Sequence, residues 1–421
     1  MDKPVEIVLT ALSYGGEAIG RYDGRAIFVP FGLPGETVRA RIIEERKNFA
    51  RAELVEVIKP APERIAPRCK HFGECGGCHY QHLSYADQIK IKTDILRDQL
   101  IRIGKIQDPH VMEIIASPQE WNYRNHIQFH LAESGEMGFI ASGYPDALIP
   151  IEECFLPEPG INALWPTLDL ETGSPIERVS LRAGMNNDLL LILESESDDA
   201  ALPEMQIESD ISAVHMIDDD CVVLAGDGFI IMDVGTGFSP APGQKPGLFK
   251  VSAASFFQIN TSMAAKMVAH LLENLPITPT STVLDIYCGV GLFSAFMAPL
   301  AARIIGIESS ASACQDFATN LDAFDNVELY EGLAQDILPA LNCQADIAIV
   351  DPPRAGLDKT ALDALIKLKP ATLAYVSCDP STLARDAARL MTGGYRLKQV
   401  TPFDLFPQTY HIESISIFEL S

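Results

Sequence analysis

The sequence predicts a multi-domain protein: a small β-barrel, an α/β middle region with a cysteine segment, and a C-terminal Rossmann-like α/β domain. Short strand-like runs broken by glycines fill the first 59 residues. Three cysteines cluster just after them, and from about residue 246 apolar strand-like runs alternate with helical stretches, as in a parallel sheet. Because 421 residues fit two or three domains, we place the domains at 1–59, 60–245 and 246–421.

The N-terminal region resembles a TRAM domain, an OB-like RNA-binding module of RNA-modifying enzymes. Its strand-like runs are Val5–Leu9, Ile27–Val29, Thr37–Ile43 and Ala50–Ile58, and glycines, among them Gly15, Gly16 and Gly20, supply the expected turns. The resemblance is carried by Gly-Gly-Glu-Ala-Ile-Gly-Arg at 15–21 and Ile-Phe-Val-Pro at 27–30. It implies phosphate contacts from basic side chains, namely Arg39, Arg41, Arg46, Lys47 and Arg51.

Composition indicates a cytoplasmic protein. No stretch approaches the roughly 18 continuous apolar residues of a membrane helix, and the first residues show no basic segment leading into an apolar one. Nine unevenly placed cysteines in such a chain argue for metal or catalytic use of some of them, and against a disulfide framework.

The net charge of −25 is unusual for an RNA-binding protein, because phosphate contacts need Lys and Arg. The distribution of the charge along the chain weakens this objection to RNA binding. Residues 1–130 carry 18 basic and 17 acidic side chains, whereas residues 131–240 carry 2 and 22. We interpret the acidic middle stretch as a solvated surface that aids solubility.

The middle and C-terminal regions carry further predicted elements. We expect strands at Asn125–Leu131, Asp188–Glu194, Thr282–Tyr287, Arg303–Glu308, Ala345–Val350 and Thr372–Ser377, and helices at Thr261–Leu275 and Thr360–Leu368. The acidic, Ser-rich residues 195–220 are expected to form a surface loop or edge.

A nucleotide-like cofactor site is predicted where the first C-terminal strand ends. Asp285 is followed by a Gly289-Val-Gly291 turn that opens a helix, and Glu308 ends the next strand, where it suits a ribose diol. NAD enzymes share this logic. S-adenosylmethionine is favoured because the third glycine of the NAD pattern is absent and the fourth strand ends in Asp351-Pro-Pro-Arg.

A reactive cysteine is predicted at the ligand edge of the same sheet. Cys378 follows the strand Thr372–Ser377 and precedes a helix, whose N-terminus is expected to lower the thiol pKa. By contrast, we expect Cys288, Cys314 and Cys343 to be structural. A general base is expected close by, and spacing alone allows Glu413, His411 or Asp404.

Three motifs in this order resemble the RNA 5-methyluridine methyltransferase family: Asp-Pro-Pro-Arg-Ala-Gly-Leu at 351–357, Ser-Cys-Asp-Pro at 377–380, and Phe-Pro-Gln-Thr-x-His-x-Glu at 406–413. The resemblance implies Cys378 as the nucleophile and Glu413 as the proton acceptor. It further implies binding of S-adenosylmethionine by Gln258, Tyr287, Glu308 and Asp351, with Asp336 near the adenine. Phe256 is expected either to stack on a flipped uracil or to be a core aromatic.

The cysteine segment predicts a metal site. Cys69, Cys75 and Cys78, with Cys154 far downstream, suit either tetrahedral zinc or a [4Fe–4S] cluster. His71 and His79 are extra candidates for zinc. The resemblance favours iron–sulfur, because family members with an N-terminal TRAM domain carry a cluster on this pattern, and we expect it to be structural or to shape the RNA site.

The resemblance leaves two RNA substrates open, 23S ribosomal RNA and the T-loop of tRNA, and favours the first. An RNA-binding assembly factor with a vestigial catalytic domain, and a methyltransferase acting on protein or a small molecule, are alternatives that fit Cys378 and the TRAM-like segment less well. No obligate protein partner is evident, and we expect a monomer.

Overall fold

Three β-structures follow one another along the chain. The computed structural model describes residues 4–132, 134–168, 170, 175–195, 211–218, 220–235 and 247–421. They form a closed barrel, a seven-stranded middle sheet and a seven-stranded C-terminal sheet, with a two-stranded ladder between the sheets. The boundary predicted between residues 245 and 246 lies outside the described residues.

The barrel contains β1 (Val5–Leu12), β2 (Glu17–Tyr22), β3 (Arg25–Pro30), β4 (Thr37–Glu45) and β5 (Phe49–Lys59), in the order β1-β2-β3-β5-β4. Its predicted barrel architecture is confirmed, but Gly20 is not a turn residue, because it lies inside β2. A Cβ at Gly20 would stand 2.3 Å from Ile7 Cγ2, so this glycine is needed for close packing of β2 on β1.

A buried glutamate ties the segment after Pro60 to the barrel. The carboxylate of Glu36 is fully buried and accepts hydrogen bonds from the backbone N–H groups of Leu33 and Ala61, at 2.9 and 3.2 Å. Arg64 Nε donates to it at 2.5 Å. These charge-assisted bonds satisfy a carboxylate that would otherwise be costly to bury.

The middle sheet has the order β12-β11-β10-β9-β6-β7-β8. Its strands are β6 (His126–Leu131), β7 (Met137–Ala141), β8 (Tyr144–Pro150), β9 (Arg178–Ala183), β10 (Leu189–Ser195), β11 (Ser212–Ile217) and β12 (Asp220–Ala225), with helix α2 (Pro159–Leu164). The prediction of a surface loop or edge at 195–220 is wrong for the last part of this segment, because β11 is a buried strand that pairs with β10. Residues 196–210 lie outside the described part.

The ladder β13 (Phe229–Asp233) and β14 (Leu248–Ser252) leads into the C-terminal domain. Its helices are α3 (Thr261–Asn274), α4 (Leu292–Met297), α5 (Ala311–Asn320), α6 (Ala334–Ala340), α7 (Lys359–Leu368) and α8 (Pro380–Thr392). Its strands are β15 (Thr282–Ile286), β16 (Arg303–Glu308), β17 (Val327–Glu331), β18 (Ile347–Val350), β19 (Thr372–Ser377), β20 (Tyr395–Phe403) and β21 (Glu413–Leu420).

The C-terminal sheet has the order β17-β16-β15-β18-β19-β21-β20. Strands β15 to β19 are parallel, and β21 runs antiparallel to both its neighbours. The order reverses direction next to β15, which is where open α/β sheets form ligand crevices at the carboxyl ends of their strands. Along the described ranges, no helix combines the length and apolar character that crossing a membrane requires.

Helix α1 (Tyr85–Arg102) fixes the loop between β20 and β21 through buried polar contacts. Lys92 Nζ lies 2.6 Å from Asp404 Oδ1, and both side chains are fully buried. The same ammonium group donates to the carbonyl of Phe406 at 2.9 Å. The side chains of Gln88 and Gln408 are also hydrogen-bonded at 2.9 Å.

The buried ion pair predicts an asymmetric mutational response. Lys92→Met leaves the Asp404 charge without its partner, so we expect a loss of about 3–5 kcal/mol in the free energy of unfolding. Urea denaturation measures it. Arg97→Ala is the matched control, because Arg97 pairs with Asp94 on the exposed face of the same helix, and it should cost under about 1 kcal/mol. Equal effects of the two substitutions would contradict the assignment of the buried pair.

Candidate active site

The ends of three neighbouring strands bring the two predicted catalytic residues together. Cys378 directly follows β19, Glu413 begins β21, and Asp351 directly follows β18. In the antiparallel pairing of β19 with β21, Ser377 is opposite Ser414, so Cys378 and Glu413 extend from adjacent ends. Asp351 lies at the same edge because β18 is parallel to β19.

Burial and negative charge keep the Cys378 thiol protonated. Burial, together with the carboxylates of Glu413 and Asp351, raises its pKa to about 12. The expected lowering by the helix N-terminus is therefore wrong. Asp379 is the N-cap of α8, and its carboxylate accepts the N–H groups of Ser381 and Thr382, which places a negative charge beside the thiol.

The pKa values of the neighbouring carboxyl groups are raised as well. Burial raises the pKa of Glu413 well above its usual range, and the charge of Asp351 adds to the effect. Burial, with a contribution from Asp285, raises the pKa of Asp351 to about 7. The Arg354 guanidinium favours the ionised forms of both Glu413 and Cys378.

The other two candidates for the general base have different surroundings. Asp404 is engaged by Lys92 in the buried ion pair, although it follows Phe403, the residue of β20 that pairs with Glu413. His411 is largely buried, and this burial, with the charge of Arg354, lowers its pKa to about 3. It is therefore neutral at physiological pH and packs against Tyr410, with ring centroids 4.3 Å apart.

The turn after β15 leaves open space where a cofactor could approach. A Cβ at Gly289 would meet no atom within 4 Å, whereas one at Gly291 would stand 2.3 Å from Leu321 Cδ1. Tyr287 adopts a φ of 65°, an uncommon conformation for a residue with a side chain. The Glu308 carboxylate accepts hydrogen bonds from the backbone N–H of Gly289 at 2.9 Å and from the backbone N–H groups of Ser309 and Ser310.

A buried oxygen without a partner points to a ligand in this turn. Asp285 Oδ2 accepts the hydroxyl and the backbone N–H of Ser294, at 2.6 and 3.1 Å, but Oδ1 is buried and meets no donor within the described residues. Buried polar atoms are normally satisfied. The free oxygen therefore suits a donor group of a bound cofactor, which agrees with the predicted S-adenosylmethionine.

The remaining predicted cofactor and substrate residues are more peripheral. Gln258 is half-buried, and its carbonyl accepts a hydrogen bond from Asn125 Nδ2 at 2.9 Å. Asp336 is exposed in the first turn of α6. Phe256 is 69% exposed, so its interpretation as a core aromatic is wrong, and its ring is free to meet a base.

The four predicted metal-binding cysteines line one cavity of about 650 Å³. Hydrogen bonds attach their segment to β7, from Gly76 N to Ile140 O and from Ser142 N to Glu74 O. Burial raises the pKa of Cys75 to about 11 and that of Cys78 to about 12. The positive charge of Arg124 opposes these pKa shifts.

Four thiols around one cavity are the donor set that a [4Fe–4S] cluster takes. Metal binding would also offset the cost of ionising thiols whose pKa values burial raises. The four thiols therefore match the ligands of a [4Fe–4S] cluster in number and kind. As placed, however, the described residues contain no group of three or more Cys, His, Asp or Glu side chains arranged to hold a metal ion.

Three residues near the site have no assigned role in the sequence-based prediction. Arg354 stands in the motif at 351–357, and Asp285 lies in β15 just before the glycine turn, so both could be found from the sequence. Tyr14 carried no signal, because its hydroxyl contacts the carbonyl oxygen of Cys378 from the barrel, across 364 positions of the chain.

The sheet order, the glycine turn after β15 and the acidic end of β16 define a Rossmann-like enzyme that binds a nucleotide-like cofactor. A family model described as tRNA (Uracil-5-)-methyltransferase matches residues 243–419, and a TRAM domain model matches residues 3–55. An uncharacterized RNA methyltransferase of Halalkalibacterium halodurans is 32% identical over 99% of this chain and 97% of its own length. An uncharacterized RNA methyltransferase of Aquifex aeolicus is 33% identical over 100% of this chain and 99% of its own length.

A solved structure is similar over the whole chain. It is that of the Pyrococcus abyssi tRNA (uracil-54, C5)-methyltransferase in complex with S-adenosyl-L-homocysteine, with a TM-score of 0.73 and 22% identity over 98% of this chain and 99% of that one. This likeness shows a shared fold. The family models and the relatives show that the chain belongs to the S-adenosylmethionine-dependent RNA uracil-5-methyltransferase family, with an N-terminal TRAM domain.

The surroundings of Cys378 predict its reactivity as a function of pH. Because its pKa is raised to about 12, alkylation by iodoacetamide should keep accelerating up to pH 10 without a plateau. The charge of Glu413 contributes to this raised pKa, so Glu413→Gln should speed alkylation at pH 10 by about three- to fivefold. Peptide mass spectrometry measures the rate at Cys378.

Glu419→Gln is the matched control, because Glu419 lies towards the other end of β21 and pairs with Lys398 and Arg396. It should leave the alkylation rate at Cys378 unchanged. A plateau below pH 8 in the unmodified chain would instead indicate a thiolate stabilised by the helix N-terminus.

Proposed function

We propose that this protein methylates carbon 5 of a specific uridine in RNA, with Cys378 as the nucleophile and Glu413 as the proton acceptor. The observation that carries the proposal is the meeting of Cys378 and Glu413 at adjacent strand ends, beside Asp351. One thiol and one carboxyl group at a single edge of the sheet are the two side chains that this reaction needs.

The chemistry explains why both groups are required. Uracil C5 is a weak nucleophile. The Cys378 thiol therefore first loses its proton to solvent, and the thiolate adds to C6 and makes C5 an enolate carbon. The cofactor supplies a methyl group on a positively charged sulfonium. Glu413 then accepts the C5 proton, and the bond between sulfur and C6 breaks to release the product and the thiolate.

The raised pKa values suit these roles. A buried carboxyl group with a raised pKa is a stronger base once ionised than a solvated one, which favours proton abstraction from carbon. The Arg354 charge supports ionisation of Glu413 and of Cys378. A thiol kept neutral in the free protein is also protected from unwanted oxidation and alkylation.

We further propose that Gln258, Tyr287, Glu308, Asp336 and Asp351 bind S-adenosylmethionine. The support is the carboxylate of Glu308 across the Gly289 turn, and the open space beside that glycine. Asp285 Oδ1, a buried oxygen without a donor among the described residues, adds an acceptor in the strand just before that turn.

The RNA substrate proposed is 23S ribosomal RNA, and the T-loop of tRNA is the alternative. The barrel and its basic side chains would contact phosphates, and exposed Phe256 would stack on the flipped uracil. The whole-chain similarity to a tRNA enzyme keeps the second substrate in view. A cytoplasmic location suits either RNA.

We also propose that Cys69, Cys75, Cys78 and Cys154 hold a [4Fe–4S] cluster, which would shape the RNA site and has no electron-transfer role in methylation. Support comes from the single cavity that the four thiols line. Phe256 lines the same cavity, so the proposed cluster would lie close to the proposed base-stacking residue.

Methyl transfer tests the function directly. Anaerobically purified protein is incubated with radiolabelled S-adenosylmethionine and separate pools of unmodified 23S rRNA and tRNA, and the labelled nucleoside is identified after digestion. We expect 5-methyluridine in the rRNA pool and none with Cys378→Ala, because the proposed adduct at uracil C6 needs the Cys378 sulfur. Label in tRNA alone would assign the alternative substrate.

Cys314→Ala is the control, since Cys314 is a buried cysteine on α5. Absence of label in both pools, despite binding of S-adenosylmethionine, would contradict the enzyme and favour the assembly factor. In Glu413→Gln the methylated adduct should persist, since its C5 proton has no acceptor. A protein–RNA band on a denaturing gel would reveal it.

The metal site is tested by analysis of the purified protein. Iron and acid-labile sulfide should be present at about four atoms each per chain, and Cys75→Ser should lose most of both. Cys221→Ser is the matched control, because Cys221 is exposed on β12, away from the cavity. Zinc in place of iron would contradict the cluster.

A further inference from the structure

The first hairpin turn of the barrel contacts both loops that carry the proposed catalytic residues. Tyr14 Oη donates to the carbonyl oxygen of Cys378 at 3.3 Å. The Tyr14 ring meets Tyr410 edge-to-face, with centroids 5.6 Å apart and an interplanar angle of 87°. Tyr410 lies three residues before Glu413, so one barrel side chain touches the loop after β19 and the loop before β21.

The turn that carries Tyr14 is fixed in shape and closely packed. Ser13 N donates to Glu17 O at 2.9 Å, and Gly16 N donates to Ser13 O at 3.2 Å. Gly16 has a φ of +84°, and a Cβ there would stand 3.1 Å from His79 Cβ and 3.3 Å from Tyr410 Cβ. Glycine is required here by both backbone conformation and space.

We propose that Tyr14 is a positioning residue for the nucleophile: its hydroxyl holds the Cys378 carbonyl, so that the TRAM barrel completes the active site as well as binding RNA. The inference rests on the proposed function of Cys378. Its consequence is that separating the barrel from the catalytic domain would misplace the thiol even when the catalytic domain itself remains folded.

The chemical state of Tyr14 suits this role. Burial raises the pKa of its hydroxyl far above the ordinary value, and the nearby Asp379 carboxylate adds to the shift. The hydroxyl therefore keeps its proton, and remains a donor, over the whole range in which the enzyme can act. A carbonyl held from outside its own domain cannot turn without breaking this contact or moving the barrel.

Two readouts test the role, with Tyr14→Phe as the variant because it keeps the ring and removes only the hydroxyl. The first is the rate of covalent adduct formation with RNA containing 5-fluorouridine. This base carries fluorine at C5 in place of the proton that the general base would remove, so the covalent adduct persists. The second is the alkylation rate of Cys378 in the protein without RNA, measured by peptide mass spectrometry.

We expect adduct formation to fall about five- to tenfold, the effect of losing one hydrogen bond that orients a reacting group. Alkylation of Cys378 should instead rise severalfold, because the freed loop exposes the thiol to small reagents. RNA affinity and the alkylation rate of buried Cys288 should change less than twofold. General destabilisation would raise the alkylation rates of both Cys378 and Cys288. Slower adduct formation together with faster alkylation of Cys378 alone would therefore identify a positioning role.

Tyr22→Phe is the matched control, since Tyr22 lies on β2 of the same barrel and should change neither readout. Gly16→Ala, which pushes the turn away from His79 and Tyr410, should reproduce both effects. Unchanged alkylation of Cys378 in Tyr14→Phe would overturn the inference. If the unmodified chain forms no adduct with any RNA, the proposed function fails, while alkylation still decides the role of Tyr14.

Discussion

The buried ion pair between Lys92 and Asp404 is the contact on which the arrangement of the active site depends. Its two charges lie 2.6 Å apart with no exposure to solvent. Such a pair adds little net stability, because desolvation offsets most of the attraction, but breaking it is costly. The loop from 404 to 408 is thus confined to one position on α1, and Glu413 follows five residues later.

The same loop joins the cysteine segment to the catalytic domain. The Gln408 carbonyl accepts the N–H groups of both His79 and Tyr80, at 2.8 and 3.0 Å. Gln408 has a φ of 70°, which costs free energy and persists because Gln88 pairs with both its side chain and its backbone N–H. The cysteine cavity, α1 and the strand end of Glu413 therefore form one connected unit, although they come from three parts of the sequence.

How far the sequence predicts this molecule depends on the range of the interaction concerned. Cys378 and Glu413 could be assigned to strand ends because apolar runs such as Thr372–Ser377 mark buried strands locally, and the family resemblance named their roles. The Cys378 pKa was predicted in the wrong direction, because burial and the carboxylates of distant strands outweigh the adjacent helix. Gly20 and the strand β11 were misassigned for the same reason, since packing partners decide both.

Charge in the site also links its parts thermodynamically. Asp285, Asp351 and Glu413 are buried close enough together that the charge of Asp285 raises the pKa of Asp351, and that of Asp351 the pKa of Glu413. By linkage, a cation bound among them lowers these pKa values and is itself bound more tightly as the carboxyl groups ionise. A positively charged sulfonium is such a ligand. The acidic environment that holds the thiol neutral in the free protein would then favour the ionised base when the cofactor is present, so that the site is activated by the ligand it needs.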